Sequence, residues 1–143
     1  MKRHVSKSTG QTHEIASKVL KELPKGNIIC LYGQLGAGKT TFTKGLALAM
    51  GITDQLVKSP TYTYVREIES QGKIIFHCDL YRLEGKPSAA NEIISELIVR
   101  PHDVLIIEWA EFLEEFIPKN RTDVHVRVRN EISRDITVQH HKK

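Results

Sequence analysis

The sequence predicts a three-layer α/β fold, with a mixed sheet that has a parallel core and added antiparallel strands. Residues 27–32 form an apolar stretch with the length and composition of a buried strand. A helical pattern follows at residues 41–50 and stops at Gly51. A second aliphatic stretch, at residues 104–107, ends in the acid Glu108. A buried strand that leads directly into a helix, with another buried strand further along, is typical of a parallel sheet covered by helices.

The turn between the first strand and its helix carries the most specific signal. Residues 33–40 read GQLGAGKT and fit G-x-x-x-x-G-K-S/T, the phosphate-binding P-loop. Its glycines let the backbone approach phosphates with the N–H groups pointing inward, and the helix N-terminus adds partial positive charge. Lys39 can reach the β/γ-phosphates, and the Thr40 hydroxyl can bind Mg²⁺. The sequence therefore predicts the three-layer P-loop NTPase fold.

The chain before the P-loop strand predicts one helix. Residues 1–7 are basic and are expected to be partly loose. Ser8 and Gln11 have the spacing of a capping box, and apolar residues follow at helical spacing as far as Leu23. The letters PKG at residues 24–26 are expected to end this helix.

The chain after the P-loop helix predicts two hairpins and a short helix. Residues 62–68 and 73–81 alternate around a glycine turn, which indicates an antiparallel pair. Ser88 is expected to cap the short helix, and residues 124–138 predict the final hairpin. Because no repeat, low-complexity tract or linker interrupts these elements, residues 1–143 are expected to form a single P-loop NTPase domain.

Length and composition restrict the class of protein. The chain has 143 residues, enough for one domain with a proper core and too few for two. No apolar run is long enough to span a bilayer, so we expect a cytoplasmic protein with no membrane partner. The net charge of +4 would suit an acidic partner such as RNA, but a mildly basic surface is the simpler interpretation. Cys30 and Cys78 lie in predicted strands and are expected to be buried free thiols.

Two acids lie where predicted strands end, and α/β sites form at such ends. Glu108 follows four aliphatic residues in the pattern of a Walker B strand, and Asp79 ends a less apolar strand. Either acid can bind Mg²⁺ or polarise the attacking water, and either can be a solvated strand end. Trp109 is equally consistent with the core and with a half-exposed platform. His77 is expected to be a packed strand histidine rather than a ligand.

Four short blocks occur in the order, and at about the spacing, of one family. They are GAGKTT at residues 36–41, SPTY at residues 59–62, HCDLYRL at residues 77–83 and IEW at residues 107–109. Over nearly the whole chain, from Thr12 to Arg134, the sequence therefore resembles the TsaE family. Those proteins are small bacterial ATPases needed to make threonylcarbamoyladenosine at position 37 of tRNAs that read ANN codons.

This resemblance implies that the chain binds ATP and Mg²⁺. Thr40 and Glu108 would hold the metal, and Asp79 would act with Glu108 in hydrolysis, with the choice of base left open. Thr61 would belong to a switch loop that senses the γ-phosphate. The residues implied for nucleotide binding are Thr9, Thr12, Leu35, Gly36, Ala37, Gly38, Lys39, Thr40, Trp109 and Arg134. The two N-terminal threonines and the arginine would lie towards the adenosine.

The resemblance also implies two protein partners, TsaD and TsaB, which form the modifying enzyme. ATP hydrolysis by this chain would support the turnover of that enzyme. The ATPase activity would be low without them, and contact with tRNA would be indirect. The family usually has aspartate where this chain has Gln34, which is not a phosphate ligand in the motif, so activity is expected to survive. Cys78 replaces a usual aromatic residue, which indicates a change in packing.

Two other functions are compatible with parts of the sequence. A small-molecule P-loop kinase needs a cationic lid and an acceptor pocket. Residues 79–100 contain Arg82, Lys86 and Arg100 but no dense arginine cluster, and the chain is short for a lid and a substrate domain. A nucleic-acid-binding module without catalysis would leave the P-loop and both acids unexplained.

Overall fold

The computed structural model describes residues 1–23, 27–34, 36–52 and 64–142. In these ranges the chain runs through β1 (Lys2–Ser6), α1 (Thr9–Glu22), β2 (Ile28–Tyr32), α2 (Lys39–Ala49), β3 (Val65–Ser70), β4 (Lys73–Asp79), α3 (Pro87–Val99), β5 (Val104–Glu108), β6 (Arg121–Val128) and β7 (Arg134–His141). Two 3₁₀ segments, Tyr81–Leu83 and Ala110–Phe116, follow β4 and β5. None of the helices described here has the length and apolar character needed to cross a membrane.

The seven strands form one mixed sheet in the order β1-β7-β6-β2-β5-β4-β3. The P-loop strand β2 lies between β5 and β6 and runs parallel to both, and β4 runs parallel to β5. The pairs β3–β4, β6–β7 and β1–β7 are antiparallel. The predicted neighbourhood of β2 and β5 is therefore confirmed. One correction concerns both predicted hairpins, because each contributes a strand to the parallel core instead of only extending it: β4 pairs with β5, and β6 pairs with β2.

Helices cover both faces of the sheet and make the three layers. On one face α1 and α2 pack over alternate strand residues such as Ile29, Leu31 and Ile106. On the other face α3 and the segment after β5 pack over residues such as Cys30 and Leu105. Because β2 and β5 are buried on both faces, their sequences are continuously apolar rather than alternating, which made them recognisable.

The N-terminal segment differs from the expectation. Residues 2–6 are not loose but form β1, an edge strand that pairs with β7. Its letters, KRHVS, carry mostly exposed polar side chains, so the strand depends on backbone hydrogen bonds that no side-chain pattern reveals. Ser6 is nevertheless buried, and its hydroxyl lies 2.6 Å from that of Thr12 in α1. The Ser8 cap is confirmed, because Ser8 Oγ accepts a hydrogen bond from the N–H of Gln11.

The start of α3 also differs from the expectation. The helix begins at Pro87 with Lys86 at the N-cap position, so Ser88 lies inside the first turn and caps nothing. Proline at the first helical position has the fixed φ that a helix start needs, and it displaces the cap by two residues. The predicted turn between β3 and β4 is confirmed at Gln71 and Gly72, both of which have positive φ.

Gly45 lies where α2 crosses α1, and we expect its replacement by alanine to destabilise the fold. A Cβ there would lie 2.8 Å from His13 Cα and 2.9 Å from Ala16 Cβ. Overpacking of this kind lowers the free energy of unfolding by about 1–3 kcal/mol. Gly10→Ala is the matched control, because a Cβ at Gly10 meets nothing nearer than 3.9 Å. Denaturant unfolding of both variants measures the difference, and equal midpoints would contradict the close approach of the helices.

Candidate nucleotide-binding site

The P-loop joins β2 to α2 and is held close to β6. A Cβ at Gly33 would lie 2.6 Å from the backbone oxygen of Val126, so only glycine fits at the end of β2. Gly38 precedes α2 with a φ of +113°, and no side chain of the described residues caps that helix. A helix N-terminus of this kind favours an anion, because its partial positive charge faces the preceding loop.

Arg134, at the start of β7, hydrogen-bonds to the backbone of the P-loop. Its Nε donates a hydrogen bond of 3.0 Å to the carbonyl oxygen of Ala37. Its Nη1 donates to the carbonyl oxygens of Asn130 and Ser133 at 3.2 and 3.1 Å. The guanidinium thus ties the middle of the P-loop to the turn between β6 and β7, although the two segments are far apart in the sequence.

The two acids end adjacent strands of the parallel core. Asp79 is the register partner of Glu108, and Glu108 is the register partner of Leu31 on its other side. Because β4, β5 and β2 run parallel, both carboxyl groups lie at the sheet edge where β2 enters the P-loop. The structure thus brings Asp79, Glu108 and the P-loop together.

Lys39 reaches across from α2 to the end of β5. Its Nζ lies 3.4 Å from Glu108 Oε1 and 4.8 Å from the centroid of the Trp109 ring. The side chains of Lys39 and Glu108 are only 9% and 6% exposed. The lysine ammonium is therefore held between a buried carboxylate and an aromatic face, an arrangement that attracts cations.

Trp109 turns sharply out of β5 and joins an aromatic group. Its φ is +60°, which is rare for a bulky residue and directs the ring towards Lys39. The ring stacks on Phe112 at 5.4 Å between centroids and meets Tyr81 at 5.1 Å. Trp109 is partly buried and packs against the apolar cluster on the α3 face of the sheet, and its use as a platform stays a prediction.

His77 makes a contact that the sequence analysis missed. The residue is a packed strand histidine, fully buried as expected, but its Nε2 also hydrogen-bonds Glu108 Oε2 at 2.5 Å. Side chains two residues apart on a strand share a face, so His77 lies on the same face as Asp79. This alternation of side chains between the two faces was the signal that the sequence offered. It could not show that the histidine contacts Glu108 on the neighbouring strand.

The two acids differ in their electrostatic surroundings. Burial alone would raise the pKa of Glu108, but His77 and Lys39 outweigh it and hold that pKa below its ordinary value. The pKa of Asp79 is raised, chiefly by burial and also by the charge of Glu108, against a hydrogen bond from the Tyr81 N–H. The surroundings of Glu108 therefore favour its ionised form, whereas those of Asp79 disfavour ionisation.

A cavity of about 330 Å³ lies on one side of the P-loop. It collects residues from both ends of the chain, because β1 and β7 are neighbours and α1 follows β1. The residues implied for nucleotide binding that line it are Thr9, Thr12, Gly36, Gly38 and Arg134. A second cavity of about 490 Å³ lies on the other side of the loop and is lined by residues that include Tyr32, Ala37, Trp109 and His125. Leu35 and Thr61, also implied by the resemblance, lie outside the described residues.

A glycine-rich loop between a parallel strand and its helix, beside the acidic end of the neighbouring strand, defines the chain as a member of the P-loop NTPase fold. The model of the family described as threonylcarbamoyl adenosine biosynthesis protein TsaE matches residues 6–136. The chain belongs to the TsaE family, and the resemblance found in the sequence is confirmed.

Individual relatives agree with this membership. A Bacillus subtilis protein named tRNA threonylcarbamoyladenosine biosynthesis protein TsaE is 34% identical over 127 residues, 89% of this chain and 78% of that protein. A Treponema pallidum protein of the same name is 34% identical over 136 residues, 95% of this chain and 98% of that protein. The crystal structure of YdiB from Bacillus subtilis matches with a TM-score of 0.76 and 28% identity, covering 99% of this chain and 86% of that one.

Proposed function

We propose that the protein is an ATPase of tRNA processing. It binds ATP with Mg²⁺ and hydrolyses it during formation of the threonylcarbamoyl group on adenosine 37 of tRNAs that read ANN codons. Hydrolysis supports turnover of the TsaD and TsaB proteins, contact with tRNA is indirect, and the reaction takes place in the cytoplasm. Residues 1–143 act as a single domain. The observation that carries the proposal is the contact between Lys39 of the P-loop and Glu108 at the end of β5.

Phosphate binding is assigned to the loop and to the first turn of α2. Backbone N–H groups there face the site, and Lys39 supplies the cation. The cavity that contains Thr9, Thr12 and Arg134 takes the adenosine side of the nucleotide. Trp109 supports the lysine side chain from β5.

The donor set also fits Mg²⁺. Among the described residues no group of three or more histidines, cysteines and acids could hold a metal alone. Mg²⁺ does not need such a cage, because it is usually held by one or two carboxylates together with substrate phosphates and water. Thr40 and Glu108 would bind it, with Asp79 at the adjacent register position. When bound, the ion neutralises charge on the phosphates.

Hydrolysis needs a group that orients or deprotonates the attacking water. Lys39 Nζ lies 3.4 Å from Oε1 of Glu108. Phosphates compete for the same ammonium, so a bound triphosphate draws Lys39 away and leaves Oε1 able to accept a hydrogen bond from water. Asp79 lies beside this carboxylate as the second acid.

No specific observation favours the kinase alternative. Of the cations between Asp79 and the end of α3, Arg100 donates to Glu67 at 2.8 Å and lies over the Phe76 ring at 4.8 Å. It therefore braces the hairpin β3–β4 rather than a lid over the P-loop.

We expect the protein to release phosphate from ATP with water as the only acceptor, slowly alone and faster with TsaD and TsaB. The measurement is phosphate and ADP release with each partner, with both and with neither. A kinase would instead consume ATP only when a small-molecule acceptor is added and would release no phosphate. Lack of phosphate release with both partners present would contradict the proposal.

A further inference from the structure

The second carboxylate oxygen of Glu108 has a partner to which the proposed function gives no role. Glu108 Oε2 bonds His77 Nε2, while Oε1 faces Lys39. The histidine is fully buried and comes from β4 rather than from the P-loop. Each oxygen of the carboxylate is thus held by a different element of the fold.

The strand register explains how the two side chains meet. Asp79 is level with Glu108 across β4 and β5, and His77 is level with Ile106, two residues before the acid. The contact between the two side chains therefore spans an offset of two residues along the strands. This contact lies on the face that α2 covers, below the P-loop lysine.

The direction of the hydrogen bond follows from the groups involved. An ionised carboxylate only accepts hydrogen bonds, so His77 Nε2 carries the proton and donates it to Glu108. His77 Nδ1 is buried and meets no hydrogen-bond partner among the described residues. An unpartnered buried nitrogen is unfavourable, which sets this histidine apart from a residue present only to fill the core.

The two partners of Glu108 differ in what happens when a nucleotide binds. Lys39 leaves for the phosphates, whereas His77 is fixed in the sheet and remains. We propose that His77 is a positioning residue that holds Oε2 and thereby keeps Oε1 directed at the site. This inference rests on the role of Glu108 in the proposed function.

Without the histidine, the carboxylate loses its partner on the sheet side. It becomes free to turn both oxygens towards Lys39 and the first turn of α2. Its water-directing orientation is then populated less often, while the N–H groups of the P-loop stay in place. The rate of hydrolysis should fall more than the affinity for ATP.

Two substitutions of His77 with side chains of equal length distinguish the effect of the hydrogen bond from the effect of packing. Glutamine places an N–H donor the same number of bonds from Cβ as His77 Nε2, and methionine has the same length without a donor. Loss of a group that orients a site side chain typically lowers activity about 10–100-fold. We expect that loss in kcat for His77→Met, little change in KM for ATP, and recovery of most of kcat in His77→Gln.

Ile75→Val provides the matched control. Ile75 lies on the same face of β4, two residues before His77, and packs into the core without touching the acids. Its truncation should lower the thermal unfolding midpoint and leave kcat and KM unchanged. A general weakening of β4 is thereby distinguished from loss of the hydrogen bond.

A readout in the nucleotide-free protein does not depend on activity. Nitrogen-15 NMR should show His77 as the Nε2–H tautomer, and Glu108→Ala should shift that Nε2 proton resonance strongly. If His77→Met does not fold, the nitrogen-15 spectrum of the wild-type protein tests the inference instead. A His77 tautomer with the proton on Nδ1 would overturn it.

The kinetic outcomes are also distinguishable. If Glu108→Ala is slow while His77→Met turns over like the wild type, the role of His77 is overturned and the proposed function stands. If kcat of His77→Gln is as low as that of His77→Met, the hydrogen-bond donor at this position does not set the rate and the inference fails. If the wild type with both partners releases no phosphate, the proposed function fails and this inference fails with it.

Discussion

Replacing Glu108 by alanine should lower ATP hydrolysis by about 10²–10⁴-fold, the usual contribution of a base or water-positioning group. Much of the nucleotide binding should remain, because the loop N–H groups and Lys39 are untouched. The measurements are hydrolysis with TsaD and TsaB, ATP affinity by calorimetry and far-UV circular dichroism. Glu115→Ala removes an exposed acid a few residues further along and should behave as wild type.

Asp79→Ala belongs in the same experiment. It should also damage hydrolysis, since a second acid at the adjacent register position helps to hold the water around the metal. Both variants should keep the native circular dichroism, because the apolar core of the sheet is unchanged, even though Glu108→Ala removes the buried partner of Lys39 and His77. A normal rate for Glu108→Ala would make that acid structural and the mechanism wrong. Slow hydrolysis combined with poor binding would instead make Glu108 chiefly a metal ligand and Asp79 the better candidate for the base.

Replacing Lys39 by alanine should weaken ATP binding by roughly tenfold or more, because charge-assisted hydrogen bonds contribute about 1.5–3 kcal/mol each. The variant also leaves the Glu108 carboxylate near the phosphates without its counter-charge, which opposes binding of a polyanion. Calorimetric titration with a non-hydrolysable ATP analogue measures the affinity.

Lys44→Ala is the control for Lys39→Ala, since it removes a lysine from the same helix without touching the site. Its affinity for the analogue should match that of the wild type. An unchanged affinity in Lys39→Ala itself would count decisively against the assignment of the P-loop.

The core of the fold could be predicted from the sequence because its signals are local. A buried strand, a P-loop and a helix are contiguous at residues 27–50, and β5 has the same continuous apolar character as β2. The strand β1 could not be found this way, since its pairing with β7 depends on backbone groups and not on its polar side chains. Likewise, nothing local in residues 121–128 shows that β6 pairs with β2 as well as with β7.

The site was predictable to a similar extent. The P-loop and the two strand-end acids follow from motif and position, and the register of β4 and β5 brings the acids together. The contacts that hold these groups in place could not be predicted from the sequence. Arg134 reaches Ala37 across most of the chain, and His77 reaches Glu108 across a strand pair whose register only the folded sheet defines.

The ion pair between Lys39 and Glu108 gives the site an internal counterion. A buried ammonium is unfavourable unless an opposite charge accompanies it. Under the proposed function, nucleotide binding is therefore an exchange, in which phosphate oxygens replace a carboxylate as the partner of Lys39. The net affinity is smaller than the phosphate contacts alone would give. A partner protein that favours the position of Lys39 away from Glu108 would tighten nucleotide binding without touching the nucleotide.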